Sequence, residues 1–169
     1  MRDAPINTTT KLLTAAATAL VAMGTVSAQA FEPIISLGGE HPVIHPNGAT
    51  DEILATKEQT DGLFSVITLG GAGGPGPAIT HANEAEVWYV LEGTFEFHVG
   101  DNVFEGGPGT FVAVDKGQPH GFTNDEEGKL LVMFMPGGYE HFFMDWAEKG
   151  IAPGPELGAL ENTYGVTRP

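Results

Sequence analysis

From residue 62 onward, apolar positions recur in short alternating runs rather than at helical spacing. The runs are 62–69, 86–91, 94–99, 102–104, 110–114, 121–123 and 130–135. Alternation sends successive side chains to opposite faces of an extended chain, so each run predicts a strand with one buried face. Between the runs stand GGAGGPGP, EG, GD, GGPG, DKGQP and NDEEG, all turn-forming. Short strands divided by tight turns predict an all-β antiparallel sandwich or barrel. No longer-range repeat and no helical periodicity interrupts this region.

The pattern changes at Pro136. In PGGYEHFFMDWAEKG, Phe142, Phe143 and Trp146 recur at helical spacing, which predicts a short helix whose apolar stripe covers the open end of the barrel. A second short helix is predicted in PELGALENTYG, with Pro155 near its start and Gly165 at its end. The N-terminal thirty residues follow a third pattern. Arg2 and Lys11 precede the apolar stretch LLTAAATALVAMG, and SAQA then ends in Ala28-Gln29-Ala30. This reads as a secretory signal over residues 1–30, cleaved after Ala30, and predicts an exported protein, periplasmic or extracellular. A spanning helix needs about 20 apolar residues; this run is shorter and broken by threonines, so no membrane attachment is expected after cleavage.

Composition sharpens the picture in two ways. Cysteine is absent, which excludes a disulfide framework, a thiolate metal site and a cysteine nucleophile. Acidic residues outnumber basic ones 22 to 7, for a net charge of −15. Such a surface repels phosphate backbones and anionic lipid heads, so nucleic acid is not an expected partner. Gly and Pro together make 24 + 12 = 36 of the 169 residues, in keeping with many tight turns.

The candidate chemistry lies in ITHANEAEVWYVLEG, residues 79–93, where His81 is followed by two glutamates, Glu84 and Glu86. His120 follows thirty-four residues after Glu86, beyond the turn DKGQP. An antiparallel barrel can bring two such strand ends to one mouth. Imidazole and carboxylate suit iron, manganese, nickel, copper, cobalt and zinc alike. Of the other histidines, His41, His45 and His141 read as surface residues. His98, between Phe97 and Val99, is a candidate extra ligand from an adjacent strand.

The segment from Gly73 to Asn124 resembles a cupin. The first cupin motif, G-x5-H-x-H-x4-E-x6-G, is met by Gly73, His81, Glu86 and Gly93, with Ile79 at the first histidine position. Reading His81 as the first histidine instead would leave two residues before Glu86 and set Pro75 where the glycine belongs. The second motif, G-x5-P-x-G-x2-H-x3-N, is met by Gly109, Gly117, His120 and Asn124, with Asp115 replacing the proline. The segments GGPGPAITHANEAEVWYVLEGTFEF, GTFVAVDKGQPHGFTN, LLVMFMPGGYEHFF and ENTYGV extend the likeness to quercetin-dioxygenase-like single-domain cupins, over roughly residues 63–166.

That resemblance implies an antiparallel double-stranded β-helix (a jelly-roll barrel) with short C-terminal helices. It implies one domain over 31–169, with the barrel core at about 62–136 and a helical extension at 137–169. A divalent transition metal would sit on His81, Glu86 and His120, with Glu86 also accepting a substrate proton. Ile79 and Trp88 would line the pocket of a small-molecule substrate. The implied reaction is dioxygenation of an enolic or phenolic, flavonol-like compound, and homodimers are common among such barrels. Two alternatives stand beside it: a small-molecule-binding barrel that has lost its metal with the first histidine, and a cupin isomerase or epimerase.

Overall fold

The computed structural model of the protein describes residues 31–35 and 37–168, so the secretory signal expected at 1–30 lies outside the described residues. Among the described residues, nine strands form one curled antiparallel sheet. They are β1 (Val43–Ile44), β2 (Asp51–Ala55), β3 (Ser65–His81), β4 (Ala85–Glu92), β5 (Phe95–Val99), β6 (Asn102–Gly106), β7 (Phe111–Val114), β8 (His120–Met135) and β9 (Val166–Thr167). Two helices follow the barrel strands, α1 (Glu140–Lys149) and α2 (Pro155–Thr163). The fold is the all-β barrel with short C-terminal helices that the alternating pattern implied. Among the described residues no helix is long and apolar enough to cross a membrane.

The long strands β3 and β8 run antiparallel over almost their whole length, from Ser65 opposite Phe134 to Ile79 opposite His120. The second half of β8 also pairs with β4, and its first half with β5. One strand therefore carries both layers of the barrel. The sequence pattern predicted turns at GGAGGPGP and NDEEG, yet both segments lie inside strands. Glycine explains the first. The β3–β8 register slips three times between Gly71 and Ile79, with Gly71, Gly73, Gly74 and Gly76 at positive φ. A Cβ on Gly74 would stand 2.3 Å from the Phe122 carbonyl oxygen, so only glycine lets the two backbones approach there. Residues that usually end a strand here bend one.

Two short strands precede residue 62. In β2 the inner face carries Asp51, Ile53 and Ala55, and Ile53 pairs with Ile67. The core fills the barrel with Trp88, Val90, Phe97, Leu130, Val132 and Phe134, each at most 1 % exposed. The Trp88 and Phe97 rings stack at 5.5 Å, and Phe122 meets Trp88 edge-on at the same distance. Against one end of this core lies the stripe of α1, with Phe142 buried and Phe143 and Trp146 packed beside it. The helix is anchored by Glu140, whose fully buried carboxylate accepts hydrogen bonds from the Lys57 and Gly138 backbone N–H groups, both at 2.7 Å. It stops at Gly150, which takes the left-handed conformation.

Asp51 introduces a pH dependence into this scaffold. It is 2 % exposed and accepts the Gly70 N–H at 3.0 Å. Burial pushes its carboxyl from 3.8 up to about 7, against the smaller opposing effects of that hydrogen bond and the His45 charge. A carboxyl raised on folding stabilises fully below its unfolded value and loses that contribution as pH rises through its folded one. Asp51→Asn keeps the acceptor and removes the titration. Its stability relative to wild type should grow between pH 5 and pH 8 by on the order of 2 kcal/mol, read from urea unfolding. An unchanged difference across that range would contradict this account.

Candidate metal centre

Three strand ends bring the site together. His81 closes β3, Glu86 is the second residue of β4, and His120 opens β8. The backbone around each is tied down. The His81 carbonyl accepts from Gly117 N–H at 2.8 Å, and His81 faces Val166 of β9 in register. Glu86 lies between Val114 of β7 and Phe134 of β8, while His120 lies between Ile79 of β3 and Val99 of β5. All three side chains are buried, at 0 %, 5 % and 1 % exposure in chain order.

Their polar atoms converge on one point. Glu86 Oε2 stands 3.3 Å from His81 Nε2 and 3.0 Å from His120 Nε2. The two imidazoles lie nearly parallel, 12° apart, with centroids at 5.3 Å. The outer nitrogen of each ring is already engaged: His81 Nδ1 meets Glu84 Oε1 at 2.6 Å, and His120 Nδ1 donates to the Gln118 carbonyl at 2.7 Å. When both rings are neutral with their protons on the outer nitrogens, both Nε2 lone pairs face the carboxylate; a second proton on His120 would instead be donated to it. Glu86 Oε1 is fixed by the Trp88 indole N–H at 2.6 Å, which leaves Oε2 for the centre.

Such a cluster fits a metal ion. His81 Nε2 is buried and makes no hydrogen bond, the orphaned donor atom that a ligand position would produce. Ligands about 2.1 Å from one ion and at right angles are about 3 Å apart, close to the spacing found here. Two imidazoles and one carboxylate on one side of an ion leave its other positions open. Without a metal, the nearest substitute is a proton on His120. Burial alone would push that imidazole down, but the hydrogen bond and charge of Glu86, with the Gln118 carbonyl, outweigh it and the net shift is upward.

Sequence reasoning put Ile79 and Trp88 beside these ligands. Ile79 is buried opposite His120. Trp88 is 1 % exposed, stacked on Phe97 and 5.5 Å from the His120 ring. His98 does not join the cluster; it pairs with Glu96 at 2.9 Å. Two contributors were given no role by the sequence reading. Glu84 was visible three residues from His81 but carried no motif. Tyr139 precedes the helical stripe, and its ring meets His81 edge-on at 4.4 Å. Burial, reinforced by Glu86, Glu161 and Glu84, pushes the Tyr139 phenol well above its usual range, so it stays neutral. Two clefts in the surface, one by Pro42 and Gln59 and one by Gly71 and Lys129, include none of these residues.

Residues 65–136 match the family model described as a cupin domain. An RmlC-like cupin from Shewanella frigidimarina superposes with a TM-score of 0.56 at 19% identity, over 67% of this chain and 99% of its own. KdgF from Halomonas sp. gives 0.51 at 17% identity, over the same two shares. The polyketide cyclase RemF from Streptomyces resistomycificus gives 0.47 at 21% identity, over 57% of this chain and 74% of its own. No curated protein matches the chain. The match to a cupin domain over residues 65–136 and the shared fold of the first two structures agree with the barrel described above. The finer likeness to quercetin-dioxygenase-like barrels rests on the motifs alone.

The proton on His120 yields a measurable consequence. In chelator-treated protein, this raised group stabilises most below about 6.5 and loses that contribution as pH rises through its folded value. The stability difference between wild type and His120→Asn should therefore shrink as pH rises from 6 to 9, by thermal melting. A difference that stays constant would contradict the shared proton.

Proposed function

We propose that the protein is an exported, metal-dependent cupin enzyme, a dioxygenase acting on an enolic or phenolic small molecule. One observation carries the reading: two imidazole Nε2 atoms and one carboxylate oxygen converge in a buried site, and His81 Nε2 there has no partner. A divalent transition metal on His81, Glu86 and His120 would lower the pKa of a chelating hydroxyl and hold dioxygen beside the substrate.

The protein groups have separate parts in this chemistry. Glu86 Oε1 is held by the Trp88 N–H, so the carboxylate is fixed when it accepts the proton of the substrate hydroxyl. Tyr139 covers His81 with its ring and stays neutral. Ile79 makes the neighbouring wall apolar, as a flat aromatic substrate requires. The α1 stripe excludes water from that end of the barrel. Export rests on the leader sequence. The net charge of −15 fits a small-molecule substrate rather than nucleic acid or anionic membrane. Pairing of two copies along a free sheet edge belongs to the same reading.

Metal analysis of protein purified without chelators should show one transition metal per chain. His120→Ala should weaken its binding more than about 100-fold, since even an outer-shell partner is worth 10 to 100. Oxygen uptake with flavonols then separates the dioxygenase from a metal-dependent isomerase, which consumes none. A folded, metal-free wild type would leave only the binding-protein and isomerase alternatives. Ile79→His should tighten metal binding by adding a ligand on the face of β3 that carries His81; unchanged affinity would mean that residue 79 does not face the centre.

A further inference from the structure

We propose that Glu84 is a positioning residue of the metal centre, orienting His81 and supplying the second negative charge that balances a divalent ion. The inference rests on the metal reading above and concerns a residue outside its three converging ligands.

The turn between β3 and β4 is exposed at Ala82 and Asn83, yet Glu84 turns inward and is only 5 % exposed. Removing a carboxylate from water costs several kcal/mol unless an interaction offsets it. That interaction is with His81, where Glu84 Oε1 lies 2.6 Å from Nδ1, a close hydrogen-bonded contact between two buried side chains. Nor is the contact a product of loose chain. The Ala82 N–H donates to the Gly165 carbonyl at 3.0 Å, and the His81 carbonyl is held by Gly117.

The two nitrogens of an imidazole face away from each other. Glu84 is on the outer one, so it cannot touch an ion that Nε2 faces, and it acts through the ring. An anionic acceptor keeps the proton on Nδ1, leaves the Nε2 lone pair free and makes it a stronger donor. His120 has only a neutral carbonyl in the equivalent place.

Charge gives the second argument. His81, Glu86 and His120 together carry one negative charge when both rings are neutral, so a divalent ion among them would leave a buried net charge of +1. Glu84 brings that sum to zero. Ile79, opposite His120 and two residues before His81 on the same strand, contributes neither a ligand nor a charge. The chain compensates a sparse ligand set from outside it.

Zinc affinity tests this directly, by competition with a chromophoric chelator on the full chain and its Glu84→Gln variant. The glutamine keeps the shape and an acceptor oxygen but not the charge. Binding should weaken 10- to 100-fold while the metal-free melting temperature does not fall. A change of less than about threefold overturns the proposal, being below what an outer-shell partner contributes. Wild type that binds no zinc removes the metal reading and this inference with it. Should Glu84→Gln not fold, ¹⁵N NMR of zinc-loaded wild type decides. A protonated Nδ1 and a metal-bound Nε2 on His81 support the proposal; the reverse arrangement overturns it.

Discussion

Hydrogen-bond acceptors cannot face one another in a dry interior unless something positive stands among them. His81 Nε2, His120 Nε2 and Glu86 Oε2 do face one another, within 3.0–3.3 Å of the carboxylate oxygen. Their outer atoms are committed elsewhere, to Glu84, to the Gln118 carbonyl and to the Trp88 indole. None can rotate away without stranding a buried polar group, which costs roughly 1–3 kcal/mol each. The surrounding structure thus holds these atoms together, and a positive charge among them, a proton on His120 or a bound cation, satisfies them.

The barrel exists in the form that this arrangement needs. The paired strands β3 and β8 curl together so that the last residue of one and the first of the other, His81 and His120, arrive at the same end. The neighbouring strand β4 crosses there in register and delivers Glu86. The C-terminal part seals the end: β9 pairs with the last two residues of β3, and Tyr139 rests on the His81 ring. Glu140, saturated by two backbone N–H groups, fixes the start of the helix that follows Tyr139. Sealing raises the strength of every charge interaction inside, because water no longer screens it.

Much of this was legible in the chain. Alternation found the strands from 86 to 114 within a residue or two, because β4, β5 and β7 each set alternate residues against the core. The spacing of His81, Glu86 and His120 marked the residues that now meet, since a motif reflects strand register. What escaped had physical reasons. GGAGGPGP carries every mark of a loop, and only its pairing with β8 makes it a strand. The strand β1 has only two residues, too few to alternate, and β2 opens with Asp51 and Glu52, polar residues that hide the pattern. Glu84 follows exposed Ala82 and Asn83 in a turn where a carboxylate ordinarily points to water, so its burial comes from tertiary structure alone. Tyr139 lies outside the helix whose stripe was visible.

The central claim is a place as much as an ion, and anomalous diffraction from crystals grown with cobalt examines it most directly. The account predicts one strong peak, about 2.1 Å from the Nε2 atoms of His81 and His120 and from a Glu86 oxygen. Density for water alone at that point, or an ion bound elsewhere, would contradict it.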